Sequence, residues 1–209
     1  KFLDLDRCYS IVRVPAGDAE LVLFNVHLSA YGADASIMAA QREKLYEDMT
    51  AERAAGNYVI AGGDFNQTFP GGLDKYPIKN ADLWTPGTLD DSMLPDGWHF
   101  AYDTATPTCR LDNQPYDAES DATQHYVIDG VPEGFTVAAK AKLDETGTAA
   151  FPDAATCRDA GRPYDGTNDR WVMDTFIYSD NVECLDCSTV DLDFAYSDHN
   201  PVAMKFKLR

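Results

Sequence analysis

The stretch VIAGGDFNQTF (residues 59–69) combines a structural signal with a chemical one. Residues 58–61 are apolar and rich in β-branched side chains, and a glycine pair follows them before Asp64 and Asn66. Short apolar runs of this kind are typical of a central strand that ends in a loop. We therefore predict a buried strand whose C-terminal end presents a carboxylate and an amide.

The segments before this strand show a hairpin pattern and then a helix pattern. Residues 9–14 and 20–28 are β-rich and are separated by turn residues, so they predict two strands of a hairpin. Residues 34–56 place Met38, Leu45 and Met49 on one face and predict an amphipathic helix.

Two further strands are predicted near the end of the chain, at residues 171–179 and 201–208. Strands interleaved with a helix indicate an α/β fold in which loops carry the functional site. Residues 70–170 are rich in Pro, Gly, Asp and Thr without a sustained period, and we expect them to form a loop-rich insertion within one domain, residues 1–209.

A short repeat lies inside this expected insertion. TCRLDNQPYD (residues 108–117) and TCRDAGRPYD (residues 156–165) match at six of ten positions with identical spacing. An apolar segment with an aspartate follows each copy, with Asp129 after the first and Asp174 after the second. Two copies are too few for a solenoid, so the repeat indicates duplication of a loop and strand.

The charge is strongly negative, with 35 acidic and 17 basic residues and a net charge of −18. A broad surface for the phosphate backbone of nucleic acid is therefore not expected, and a small substrate is favoured over long duplex DNA. No apolar run approaches the roughly 18 residues of a membrane-spanning helix. The chain begins Lys-Phe-Leu without an initiator Met, as expected of a processed product or of a deliberately shortened piece, so that any targeting segment would lie upstream.

The spacing of the cysteines is only a weak indication of zinc binding or of disulfide bonds. The five cysteines include one C-x-x-C pair, whereas a structural zinc site would need a second pair, so we do not expect zinc. A disulfide and free thiols both remain open. A Cys109–Cys157 or Cys184–Cys187 disulfide would favour an extracellular protein.

Polar residues follow three of the predicted strands, in NVH (residues 25–27), GDFN (residues 63–66) and SDHNP (residues 197–201). The motifs N-x-H-L, GGDFN, D-x-F-I-x-S and SDHNPV, in this order, resemble the endonuclease/exonuclease/phosphatase superfamily, to which deoxyribonuclease I belongs. The resemblance implies an α/β fold that is part of a four-layer sandwich, with two packed mixed sheets flanked by helices.

The resemblance also implies roles for individual residues. Asp64 and Asn66 would hold and activate the attacking water and the phosphate. His199 would contact the scissile phosphate, and Asp174 would orient the imidazole of His199. His27 would bind a phosphate oxygen.

The resemblance further implies a divalent metal, Mg²⁺ with Mn²⁺ or Ca²⁺ as alternatives, which Asp198 would help to hold. The family pattern begins with a strand that bears the principal Glu ligand, and no Glu in this sequence occupies a matching strand. The sequence therefore resembles the C-terminal two-thirds of such a domain, and we expect its metal site to be incomplete without the N-terminal part.

The repeat offers two aspartates as the partner of His199. Turn residues follow Asp129 directly, whereas Asp174 lies in the uninterrupted apolar run 171–179, which we expect to be the neighbour of the strand that begins after SDHNP. We therefore predict that Asp174 orients His199 and raises its pKa, and that Asp129 belongs to the insertion.

The leading hypothesis is a Mg²⁺-dependent phosphoesterase that hydrolyses a phosphodiester or phosphomonoester by direct water attack. A small or lipid-linked phosphate is the favoured substrate. The alternatives are a nuclease of the same family and a non-catalytic binding module that retains the fold. The acidic surface and the scarcity of lysine favour an extracellular or envelope-anchored protein over a cytoplasmic one.

Overall fold

The computed structural model describes residues 7–30, 35–79, 85–110, 126–127, 142–143, 148–150, 166, 168–195 and 197–209. The helices among these residues are α1 (Ala35–Ala54), α2 (Gly72–Lys75) and a 3₁₀ turn (Asp91–Met93). The strands are β1 (Tyr9–Ala16), β2 (Ala19–His27), β3 (Tyr58–Asp64), β4 (Gln67–Thr68), β5 (Gly87–Thr88), β6 (Trp98–Ala101), β7 (Cys109–Arg110), β8 (Tyr126–Val127), β9 (Lys142–Leu143), β10 (Thr148–Ala150), β11 (Arg170–Trp171), β12 (Asp174–Ser179), β13 (Val182–Thr189) and β14 (Val202–Leu208).

A five-stranded sheet in the order β1-β2-β3-β12-β6 organises the fold. β2 and β3 are parallel and the other pairs are antiparallel, and α1 makes the crossover that a parallel pair requires. The predicted hairpin, helix and central strand are confirmed. The central strand extends through the glycine pair to Asp64, so these glycines belong to the strand and not to a turn.

One face of this sheet packs against α1. The buried side chains of this interface alternate along the strands, because successive residues of a strand point to opposite faces. They are Val22 and Phe24 of β2, Val59 and Ala61 of β3, and Leu45 and Met49 of α1. Burial of each large aliphatic side chain contributes about 1.5–3 kcal/mol, so this interface stabilises the described core.

The opposite face packs against the antiparallel pair β13–β14. Leu21 and Ile60 of the central sheet are buried there beside Val182, and Phe206 and Leu208 pack against them. The described residues thus form three layers, namely α1, the five-stranded sheet and the β13–β14 pair. The mixed α/β class agrees with the prediction, while the full four-layer sandwich stays a prediction.

Two expectations about the last strands are corrected. The run 171–179 is not one strand, because it leaves β11 after Trp171 and enters β12 at Asp174. In addition, β12 pairs with β3 and β6, whereas β14 pairs with β13 in the second sheet. The segment that carries His199 therefore reaches Asp174 from the other sheet and not from a neighbouring strand.

The segment expected to be an insertion contributes to the core. β6 pairs with β12 in the central sheet and buries Trp98, so this part of residues 70–170 is integral to the fold. Asp129, Cys157 and the second copy of the repeat lie outside the described residues.

The four cysteines that the structure describes are free thiols: Cys8, Cys109, Cys184 and Cys187. No helix in the described part of the chain combines the length and the hydrophobicity needed to cross a bilayer.

Candidate functional site

Strand register brings three of the predicted residues into one row. His27 lies opposite Asp64 in the parallel pair β2–β3, and Asp64 lies opposite Asp174 in the antiparallel pair β3–β12. Residues opposite each other on adjacent strands point to the same face. The row therefore crosses three neighbouring strands. It lies on the face of the sheet that is opposite α1, and the β13–β14 pair covers the other end of that face.

Gly63 makes this close arrangement possible. Its φ is +142°, and a Cβ built there would lie 2.0 Å from the carbonyl oxygen of Val26. Only glycine fits a position with both properties, because a side chain would collide with the backbone of the adjacent strand.

Asn66 is fixed directly after the strand. Its backbone N–H donates to Oδ1 of Asp64 at 2.7 Å, and its side-chain Nδ2 donates to the carbonyl oxygen of Leu28 at 2.7 Å. Its φ is +50°, a left-handed conformation that asparagine tolerates better than most residues. The amide is thus held in one orientation, and its second N–H and its oxygen are available for other contacts.

His199 completes the cluster. Its Nδ1 lies 2.8 Å from Oδ2 of Asp174, and its Nε2 lies 4.0 Å from Oδ2 of Asp64. Nε2 of His27 lies 3.3 Å from the same Asp64 oxygen. Two imidazoles and a second carboxylate therefore surround the Asp64 carboxylate, with Asn66 beside it.

Each charge in the cluster responds to its neighbours. Burial, with the adjacent Asp174 carboxylate, raises the pKa of Asp64 to about 7. Burial, with the charges of Arg7 and His199, lowers the pKa of His27 below its ordinary value.

The pKa of His199 is raised well above its ordinary value, although burial alone would lower it. Charge interaction with the Cys109 thiol and the hydrogen bond to Asp174 oppose burial. Because complete burial raises the pKa of Cys109, this thiol is uncharged at neutral pH, and we ascribe the protonated state of His199 to the Asp174 carboxylate.

Asp198 lies in the same loop as His199. Its carbonyl oxygen accepts the backbone N–H of Arg110 at 2.9 Å, and its carboxylate lies 3.3 Å from Oγ of Ser197. Its charge partly opposes the lowering of the pKa of His27 that burial causes. Its proposed contact with a metal stays a prediction.

Two residues of the cluster were missed in the sequence. The charge of Arg7 acts on both His27 and Asp64, and its buried Nε has no hydrogen-bond partner among the described atoms. Arg7 belongs to no motif and lies before the predicted hairpin, so no local pattern indicates its place beside the cluster. Cys109 is buried and forms a β-bridge with His199, a contact that only the tertiary fold reveals.

A groove of about 390 Å³ opens beside the cluster, between the two sheets. Asn25, Gly62, Asp174 and Asn200 line its polar side and Phe176 lines its apolar side. The cluster therefore borders a space large enough for a small ligand.

The donors present were tested against the divalent metal that the resemblance implies. Asp64 and Asp174 place two carboxylates close together, and burial together with this proximity raises the pKa of Asp64, an effect that a bound cation would oppose. Within the described ranges, however, no three His, Cys, Asp or Glu side chains form a group that could hold a metal ion. The described residues alone do not make a metal site.

Comparisons with known proteins were made on sequence and on structure. No family model matches the chain, and no curated protein matches its sequence. Solved structures do match it, and they include a TDP2, an inositol polyphosphate 5-phosphatase domain and a protein described as an endonuclease/exonuclease/phosphatase.

The matches include truncated TDP2 of Caenorhabditis elegans, at 17% identity and a TM-score of 0.42, over 94% of this chain and 58% of that one. The inositol polyphosphate 5-phosphatase domain of SPsynaptojanin matches at 13% identity and a TM-score of 0.48, over 97% of this chain and 52% of that one. An endonuclease/exonuclease/phosphatase protein of Beutenbergia cavernae matches at 16% identity and a TM-score of 0.38, over 97% and 39%. The chain spans about half of the length of the first two.

Proposed function

We propose that the chain carries the hydrolytic centre of a metal-dependent phosphoesterase that uses direct attack by water. The observation that supports this most is the convergence of His27, His199 and the Asp64–Asp174 carboxylate pair in one cluster, of which Asp174 lines the groove. Hydrolysis of a phosphoester accumulates negative charge on the non-bridging oxygens, and fixed imidazole and amide donors stabilise that charge.

Each residue then has a defined task. Asp64 accepts a hydrogen bond from the attacking water and aims it at phosphorus, and Asn66 donates its free N–H to a phosphate oxygen. His199, kept protonated by Asp174, and His27 donate to the remaining oxygens. The bond from phosphorus to the leaving oxygen breaks as the bond from water forms; Asp64 takes the proton that the water releases, and a proton from solvent converts the leaving oxygen to the alcohol.

A protein nucleophile is not needed in this scheme. The thiol nearest the centre, Cys109, is buried and protonated, so it is a poor nucleophile. Attack by water also agrees with the superfamily that the motifs resemble.

A divalent metal belongs to the proposed centre. Mg²⁺ would supply a Lewis acid for the phosphate oxygens. Asp64 and Asp198 are the carboxylates of this chain that would contribute to its site, and at least one further ligand must come from elsewhere.

The substrate is proposed to be a small or lipid-linked phosphate ester. The net charge of −18 disfavours the wide electrostatic contact that long nucleic acid requires. The matched inositol polyphosphate 5-phosphatase domain was solved with inositol (1,4)-bisphosphate and calcium, which illustrates a small phosphate ester on a related fold.

The test is hydrolysis by the full-length protein of bis-p-nitrophenyl phosphate, a lipid-linked phosphodiester, single-stranded DNA and duplex DNA, each with Mg²⁺ and with EDTA. We expect metal-dependent turnover that is highest on the small or lipid-linked esters. Faster cleavage of DNA would identify a nuclease and overturn the substrate proposal. Binding of these esters without turnover would identify a non-catalytic module and overturn the enzyme itself.

A further inference from the structure

The first copy of the repeated Thr-Cys-Arg motif lies against the candidate site. Thr108, directly before β7, is fully buried. Its backbone N–H donates to the carbonyl oxygen of Trp171 at 2.9 Å, and its carbonyl oxygen accepts the N–H of Asn200 at 2.8 Å. One residue thus joins the segment that precedes Asp174 to the residue that follows His199.

The side chain of Thr108 adds a second connection. Its Oγ1 accepts the backbone N–H of Met173 at 2.9 Å and that of Asp174 at 3.0 Å. Both amides lie where the chain leaves β11 and enters β12, and Met173 is 1% exposed. A buried N–H without a partner is costly, so this hydroxyl stabilises the irregular backbone from which the Asp174 side chain projects.

We propose that Thr108 is a positioning residue for the Asp174–His199 pair. The hydroxyl fixes the backbone of Asp174, and the backbone of the same residue fixes the loop that carries His199. The two sides of the 2.8 Å contact between Nδ1 and Oδ2 are therefore tied to one point. The catalytic consequence rests on the proposed hydrolytic function, whereas the structural anchor does not.

The chemistry of threonine suits this task. A hydroxyl oxygen has two acceptor positions, which two adjacent backbone N–H groups can share, and the β-branch restricts χ1 so that the oxygen stays in place. Serine keeps the acceptor without the branch, whereas valine keeps the shape without the acceptor.

Thr175 provides a matched control. It is also a buried threonine, it is adjacent in sequence to Asp174, and its hydroxyl donates to the carbonyl oxygen of Ala101 in β6. Loss of its hydroxyl therefore removes a buried hydrogen bond of the same strand without freeing the amide of Asp174.

The anchor is tested first on the unmodified 209-residue chain by amide hydrogen exchange. We expect the N–H groups of Met173 and Asp174 to be protected to within about ten-fold of the ladder amide of Ile177, because all three are hydrogen-bonded in the core. Exchange of either amide at the rate of an unstructured peptide would overturn the proposal. This measurement needs neither a variant nor enzymatic activity.

The consequence for turnover is tested with Thr108→Val, Thr108→Ser and Thr175→Val in the full-length protein, with bis-p-nitrophenyl phosphate and Mg²⁺. We expect Thr108→Val to lower kcat by about ten-fold or more with KM nearly unchanged, because the reacting groups are misaligned while binding is kept. Thr108→Ser should recover most of the loss, and Thr175→Val should leave kcat within about two-fold of the unmodified protein.

An equal loss of kcat in Thr175→Val and Thr108→Val would show a general effect of destabilisation and would overturn the positioning role. Absence of turnover in the unmodified protein would instead contradict the proposed function, and the exchange of Met173 and Asp174 would still decide whether the anchor exists. If the valine variant does not fold, the turnover of Thr108→Ser and the exchange measurement still test whether Thr108 positions the Asp174–His199 pair.

Discussion

On the face of the five-stranded sheet opposite α1, one end is packed against other strands and the other end carries the candidate site. At one end, Leu21 and Ile60 are buried beneath the β13–β14 pair. At the other end, the same face carries His27, Asp64 and Asp174, and Asp174 lines the groove. The strands are continuous between the two ends, so the packed end holds the polar end in place.

The change occurs at Gly62, which lies between Ile60 and Asp64 on the same face. A Cβ at this position would lie 2.6 Å from the ring of Phe176, so the ring covers the space that a side chain would occupy. A site placed on such strands inherits the rigidity of the core, whereas a site on a free loop would not.

The largest expected effect is the loss of stability caused by Gly63→Ala, a substitution between the packed end and the polar end of the sheet face. The new Cβ would lie 2.0 Å from the carbonyl oxygen of Val26, so we expect destabilisation by about 3 kcal/mol or more, measured by urea unfolding. Gly17→Ala is the control, because Gly17 also has a positive φ of +70° but no atom within 4 Å of its Cβ position, and it should cost only about 1–2 kcal/mol. Equal costs would show that the close approach of β2 and β3 does not constrain Gly63.

The next effect concerns the polar end alone. Asp174→Asn in the full-length protein should lower turnover by at least about ten-fold, because His199 loses the carboxylate that orients it and keeps it charged. Asp180→Asn is the control near the other end of β12, where Asp180 forms an exposed pair with Arg53. Asp129→Asn should also be nearly silent. A larger loss with Asp129→Asn than with Asp174→Asn would mean that the wrong aspartate was assigned.

A smaller effect is expected from the packed end. Ile60→Val removes one buried methylene and should cost about 1 kcal/mol in urea unfolding, with turnover within about two-fold of the unmodified protein. This result would separate the stability of the packed end from the chemistry of the polar end. A ten-fold loss of turnover would show that the two ends are coupled more tightly than we infer.

The smallest effect lies on the helix-covered face and depends on pH. Burial, with a hydrogen bond to Asp48, raises the pKa of Tyr9 to about 12. The neutral phenol is favoured in the folded state, so its contribution is complete below the ordinary tyrosine pKa near 10 and is lost as the pH rises to about 12. An ultraviolet titration of tyrosine ionisation should contain a late component that Tyr9→Phe lacks. Retention of that component in Tyr9→Phe would assign it to another tyrosine.

Local patterns predicted much of this fold. Apolar residues alternate along residues 20–28, as expected of a strand, and Leu45 and Met49 are spaced as on one face of a helix. The hairpin and α1 could therefore be predicted from short stretches of sequence. The GDFN and SDHNP motifs likewise indicated polar residues that the structure brings together, although their catalytic roles stay predictions.

The remaining features depend on contacts distant in sequence. The run 171–179 shows no turn residue at its break, and the break is stabilised by Thr108, more than sixty residues earlier. Similarly, the assignment of β14 to the second sheet depends on its pairing with β13, which residue periodicity does not encode. Arg7 carries no local signal, and only the tertiary fold brings its charge close enough to act on His27 and Asp64.

The row of His27, Asp64 and Asp174 also has a consequence for how the chain folds. A slip of one residue in a strand moves all its side chains to the opposite face. If β3 slipped by one residue relative to its neighbours, the Asp64 carboxylate would enter the apolar layer beneath α1, where an unpaired charge is strongly unfavourable. The polar end therefore discriminates against misaligned sheets during folding, before any substrate is present.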